Sequence, residues 1–180
     1  MFIEDHPWTG IQEGYEAVVK SLDERYFGWE GTEQFQGTVR RLCEMYEEFC
    51  WSPDKIGEEL DKETRLFDEK YGQVLGAAGI KVVSLCPHHL LPCEFTVDIQ
   101  YKPNGQVLGL SKFTRIAVIL GKRPVMQEMY TRELVDTLFD RINPVWVSVE
   151  VRGIHGCMKF RGPLQEVEVT TSMLKGSLDQ

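Results

Sequence analysis

The segment EFTVDIQYKP, residues 94–103, alternates apolar and polar side chains. Phe95, Val97, Ile99 and Tyr101 fall on one side, a period of two that marks a half-buried β-strand. KPNG, at 102–105, follows as a turn. Upstream, GQVLGAAGIKVVSL (72–85) reads as two extended pieces around a glycine-containing bend. Downstream, SKFTRIAVIL (111–120) and PVMQEMYTRELVDTLFDRI (124–142) return to helical spacing, the second expected to start at Pro124. PVWVSVEVRGI (144–154) has strong β-propensity, and CMKFRG (157–162) and QEVEVTTSML (165–174) are expected to continue extended. From residue 71 the order is therefore strand, strand, helix, helix, strand, strand. That order predicts an α+β fold, a four-stranded antiparallel sheet with two helices on one face.

The N-terminal third has a different texture. GIQEGYEAVVKSLDERY (10–26) spaces Ile11, Tyr15, Val18, Val19 and Leu22 as a helix does. GTEQFQGTVRRLCEMYEEFCW (31–51) predicts a second helix capped by Thr32, with Phe35, Val39, Leu42, Cys43, Tyr46 and Phe49 as its apolar stripe. SPDKIGEEL (52–60) opens with a capping serine and a proline at the first helical position, so a third short helix is expected. This gives a helical region over 1–70 and a sheet-bearing domain over 71–180.

Composition narrows the function. With 42% apolar and 27% charged residues among 180, the chain has the make-up of an ordinary globular protein. No apolar run approaches the ~20 residues that span a bilayer, and the first residues lack a signal-peptide layout, so no membrane partner is expected. Five cysteines without dense spacing argue for free thiols and a reducing, cytoplasmic setting. The net charge of −8 argues against nucleic acid as a partner. The charge is uneven: residues 1–80 hold 8 Lys/Arg against 18 Asp/Glu, whereas residues 81–180 hold 12 against 10.

The chemistry-bearing residues lie in the less acidic half. SLCPHHLLPCEF (84–95) contains Cys86-x-x-His89, a spacing that lets both side chains reach one ion, although alone it also suits an ordinary turn. GIHGCMKFRG (153–162) adds His155 and Cys157, expected on one face of a strand. Cys86, His89 and Cys157 would make three ligands with one open position, the catalytic zinc pattern. His88 and His155 are left uncommitted beside it, and imidazoles there can carry protons at neutral pH. Ser111, Lys112 and Arg115 stand at a strand-to-helix junction suited to anions, with Arg161 four residues past Cys157; the alternative is a solvated helix end. Gln127 and Glu128 pair an amide with a carboxylate, a combination that can read a purine edge or form a polar helical turn.

SLCPHHLLP, GLSKFTRI, VMQE, GIHGCMKFRG and TTSML occur in the order and approximate spacing of GTP cyclohydrolase I of the zinc-dependent type, and residues 30–175 resemble that family. The resemblance implies the tunnelling fold and the hydrolytic opening of the guanine imidazole ring of GTP, with formate and 7,8-dihydroneopterin triphosphate as products. It implies zinc held by Cys86, His89 and Cys157, and acid–base roles for His88 and His155. It further implies guanine recognition by Gln127 and Glu128, and triphosphate binding by Ser111, Lys112, Arg115 and Arg161. A homo-oligomer, a decamer in the family, with active sites between subunits is the implied assembly. Pro87 stands where the family usually has an acidic residue. A related tunnelling-fold hydrolase of altered purine specificity, and a non-catalytic zinc-containing purine-binding homologue, are the alternatives.

Overall fold

The computed structural model describes residues 9–28, 32–33 and 35–178. Most of the acidic leader MFIEDHPWTGIQ, including His6, lies outside the described residues. The chain divides into two compact units, Met1–Glu48 and Phe49–Gln180.

The first unit is helical. Helix α1 (Thr9–Leu22) runs into a π-helical turn, Asp23–Phe27, and ends at Gly28, whose φ of 64° is left-handed. Helix α2 covers Thr38–Phe49, and its Tyr46 hydroxyl meets that of Tyr15 on α1 at 2.6 Å. The helix expected from Thr32 thus begins six residues later. The Thr32 carbonyl accepts from the N–H groups of Phe35 and Gln36, and Gly37 at φ 75° turns the chain before Thr38. Thr32 makes a turn rather than a cap.

In the second unit, α3 (Pro53–Glu63) starts as its sequence predicts, with Ser52 Oγ accepting from Lys55 N–H at 3.2 Å and Pro53 in the first turn. Ile56 and Leu60 of α3 are buried in the same core as the sheet, and the compact division falls after Glu48. Two short strands follow different rules. β1 (Leu66–Phe67) pairs with β4 (Val107–Leu108), and pieces of two residues leave no periodicity to read.

The main sheet has strand order β2-β3-β5-β6, antiparallel throughout, from β2 (Leu75–Leu85), β3 (Pro92–Lys102), β5 (Trp146–His155) and β6 (Glu168–Gly176). The expected bend in β2 is a bulge between Ala77 and Ile80, where Gly79 adopts φ 74° and donates its N–H to Asp98 Oδ1 at 2.6 Å. Phe95, Val97, Ile99 and Tyr101 are all buried, as their alternation requires. They face α4 (Leu110–Gly121) and α5 (Gln127–Ile142), whose Phe113, Ile116, Leu134 and Leu138 complete the core. This is the element order and layering that the tunnelling-fold resemblance implied.

Two boundaries differ from the sequence reading, and both shape the site. Helix α5 starts at Gln127, not Pro124, because Val125 gives its N–H to Leu85 O at 3.0 Å and ties this segment to the end of β2. After His155 the chain does not stay extended. Gly156–Lys159 forms a helical turn, α6. Gly156 packs so closely that a Cβ there would lie 2.7 Å from Pro92 O, and sheet pairing stops at Cys93 opposite His155.

Candidate metal centre and active site

The β2–β3 connection is built by Cys86. Its carbonyl accepts from Leu90 N–H at 2.8 Å and from His89 N–H at 3.3 Å, while its own N–H donates to Leu91 O at 2.8 Å. Pro87 fixes the φ that the second position of such a turn needs. The turn presents both histidines beside the Cys86 thiol: His89 Nδ1 lies 3.5 Å from Sγ and His88 Nδ1 4.0 Å. Cys157 enters from α6. It reaches the cluster from a helical turn, so the strand geometry expected for His155 and Cys157 is replaced by a strand end followed by a helix start.

Ligand atoms of Cys86, His89 and Cys157 all lie within 4.8 Å of one another. Tetrahedral zinc at its usual bond lengths spaces such atoms roughly 3.5–3.8 Å apart, so the set needs little adjustment. Two thiols and an imidazole suit a borderline-soft ion. Burial, and then the neighbouring Cys86, push the Cys157 thiol up, so this pair resists carrying two negative charges unless a cation sits between them. The donor set fits zinc.

His155 closes β5 next to this cluster. Its Nδ1 lies 3.3 Å from Cys93 Sγ and its Nε2 2.7 Å from Gln127 Oε1. Burial lowers its pKa, with the Glu128 carboxylate acting in the opposite direction. The Cys93 thiol, buried first of all and then close to Cys86 and Cys157, is pushed up to about 12 and stays protonated. The sequence reading passed over Cys93; the signal for it is its register position opposite His155, which only the sheet pairing reveals. Exposed His88 borders an open groove lined by Pro87, Arg123, Val125, Met126 and Met129.

The remaining residues separate into two places. Arg161 Nη1 lies 2.9 Å from His89 Nε2, and exposed Glu128 stands in the first turn of α5, whose Gln127 touches His155. Gln127 itself is 2% exposed and fully engaged within the chain. Ser111, Lys112 and Arg115 lie in the first two turns of α4, which begins at Leu110 after the cap residue Gly109 that follows Leu108. Leu108 N–H donates to Tyr101 Oη at 3.0 Å, so this helix start lies at the Tyr101 end of β3. Cys93, opposite His155, is eight residues away along the strand, roughly 27 Å. Lys112 Nζ and Arg115 Nη1 both bind Glu63, at 2.5 and 3.1 Å. The Lys112 hydrogen bond holds the Glu63 carboxyl below the usual carboxylate range against the effect of its burial, and Arg115 adds to it. Glu63 continues the Ile56–Leu60 face of α3, and a carboxylate on an apolar stripe is the sequence signal that would have exposed it.

A family model described as GTP cyclohydrolase I matches residues 13–180. The GTP cyclohydrolase 1 of Pelotomaculum thermopropionicum is 37% identical over 147 residues, covering 80% of this chain and 77% of that one. The GTP cyclohydrolase 1 of Rickettsia akari is 32% identical over 164 residues, covering 90% and 85%. Among solved structures, the apo form of the archaeosine synthase QueF-Like has a TM-score of 0.48 at 23% identity over 61% of this chain and 99% of that one. The chain belongs to the GTP cyclohydrolase I family.

Proposed function

We propose that this chain opens the guanine imidazole ring of GTP at a zinc centre formed by Cys86, His89 and Cys157. Enzymatic activity of the GTP cyclohydrolase I kind follows from family membership. The products are formate and 7,8-dihydroneopterin triphosphate. The observation that carries the site is the clustering of two thiols and an imidazole within 4.8 Å, with His88 and His155 beside them. Zinc, when bound, supplies a Lewis acid and lowers the pKa of a coordinated water.

The protein groups do the rest. His88 and His155 take up and return protons, a role suited to imidazoles near neutrality. Glu128, exposed at the start of α5, accepts hydrogen bonds from the N–H groups of the guanine edge. Arg161, Lys112, Arg115 and the Ser111 hydroxyl hold the triphosphate. Cations at the Tyr101 end of one sheet are too far from the metal cluster of the same chain to share one nucleotide with it, which supports a site completed by a second copy. A homo-oligomeric ring, a decamer by family resemblance, in a cytoplasmic setting is the assembly we propose. Its open sheet edges, β2 and β6 among the described strands, offer the means of closure.

Incubation of purified protein with GTP, followed by oxidation and detection of pterin fluorescence, tests the reaction, with GTP, dGTP and ATP compared to locate the specificity that Pro87 leaves. Elemental analysis tests the metal. Fluorescent product and one zinc per chain are expected. Full activity in a protein without metal would sink the zinc assignment, and no product from any nucleotide would sink the catalytic one.

A further inference from the structure

The Gln127 side chain has a single possible orientation. Its Nε2 lies 3.0 Å from Val151 O, 2.8 Å from Val169 O and 3.1 Å from Thr171 Oγ1. Backbone carbonyls only accept, so the NH₂ end of the amide faces them and Oε1 is turned away. Oε1 then meets His155 Nε2 at 2.7 Å. An amide oxygen has no proton to give, so the hydrogen in that contact sits on the imidazole. Thr131 tightens the arrangement, donating to Gln127 O at 2.8 Å and meeting Thr171 Oγ1 at 2.7 Å. Gly153 makes room for it: a Cβ at that position would lie 2.2 Å from Gln127 Oε1. The other imidazole nitrogen, Nδ1, has a weaker partner, the Cys93 thiol at 3.3 Å.

We infer that Gln127 is a positioning residue, which holds His155 in the Nε2–H tautomer and fixes the plane of its ring beside the metal cluster. The inference rests on the reading of His155 as a proton carrier, and it replaces guanine recognition as the role of the Gln127 side chain. The Nε2–H···Oε1 bond, at 2.7 Å, is the stronger of the two contacts the ring makes. A neutral amide is suited to this task. It fixes the ring plane without placing a second negative charge beside the thiols of the cluster. The Cys93 thiol, buried in the core, is a weak donor, so the Gln127 oxygen rather than Cys93 decides which nitrogen carries the proton.

The test compares zinc-loaded wild type, Gln127→Leu, Gln127→Glu and His155→Ala, each assayed with GTP and with inosine triphosphate, which lacks the exocyclic amino group. Gln127→Leu is expected to lower kcat about 10–100-fold, the order of loss for a slightly misplaced catalytic group. Its KM for GTP should stay within about 3-fold, with bound zinc and the preference for GTP over inosine triphosphate unchanged. Gln127→Glu, protonated in this buried setting and so shaped like the amide, is expected to recover most of kcat. In metal-free protein labelled with ¹⁵N-histidine, the His155 signals, assigned by their loss in His155→Ala, should report a proton on Nε2 in wild type and a tautomer mixture in Gln127→Leu. If Gln127→Leu does not fold, Gln127→Met provides the same comparison. Wild-type kcat in the Leu variant, or a raised KM with loss of the guanine preference, would overturn the inference, as would a tautomer mixture in the wild type. Full turnover by His155→Ala would instead overturn the reading of His155 on which it stands.

Discussion

Glu63 governs two cations from the apolar face of a helix. Its carboxylate is buried, binds Lys112 and Arg115, and is held below the ordinary carboxylate range. A group whose folded pKa is depressed contributes stability that is complete above its unfolded pKa and is lost as pH falls through the folded value. Glu63→Gln should therefore lose roughly 1–3 kcal/mol of stability at neutral pH, the scale of hydrogen bonds to charged groups. The gap from wild type should narrow as pH falls below about 4. Thermal unfolding across pH checks this; a gap that widens on acidification would refute the linkage. A second prediction at this scale concerns the histidines. His88→Ser and His155→Ala are each expected to keep fold and metal and to lose roughly 10²–10⁴-fold in turnover. Single-turnover chromatography checks which step fails, and wild-type rates in both variants would remove their proton-carrying role. The sequence displayed the Cys86-x-x-His89 pair openly, because the ligands of one turn are close in the chain. Cys93 and Glu63 were hidden, since their partners lie 62 and 49 or more residues away in sequence and are brought near only by strand register and helix packing.

The register between β2 and β3 carries the metal turn, so an error in it would move Cys86 relative to Cys93. Gly76 guards that register from the far end. A Cβ there would lie 2.1 Å from Ile99 O, a backbone atom that cannot step aside without breaking the ladder. Gly76→Ala is expected to cost about 2 kcal/mol or more, since forcing strands apart ranks with the larger single-residue effects. Urea unfolding measures it, and an unchanged midpoint would show that the bulge between Ala77 and Ile80 absorbs the added carbon. Periodicity makes β3, α3 and the layering legible in the sequence, because Phe95 to Tyr101 answer to one buried face over four alternations. It failed where elements are too short to repeat, in β1, β4 and α6. It also failed at helix starts set by distant hydrogen bonds. Pro124 looked like a helix opener, but Val125 is claimed by Leu85, and the helix waits until Gln127. That delay places Gln127 opposite His155, so a boundary error in the sequence reading concealed a contact within the site.

At the scale of the whole molecule, the two halves of the proposed site lie at opposite ends of one sheet. The metal cluster sits where Cys93 pairs with His155, and the cations of α4 sit by Tyr101. If a nucleotide bridges the cluster of one copy and the cations of another, each half can be disabled in a different chain and regained by mixing. Cys157→Ala removes a metal ligand and leaves Lys112 and Arg115 intact. The double substitution Lys112→Ala with Arg115→Ala does the reverse. Each homo-oligomer should be nearly inactive, the first without metal and the second with a strongly raised KM. Co-expressed with different affinity tags and purified through both, the two chains must share an assembly. With equal and random mixing, a site that draws on two subunits has one chance in two of an intact cluster and one in two of intact cations. About a quarter of the sites should then be complete, and activity should return to about a quarter of wild type. Activity no greater than the sum of the two parents in doubly purified assemblies would place both halves of the site in one chain.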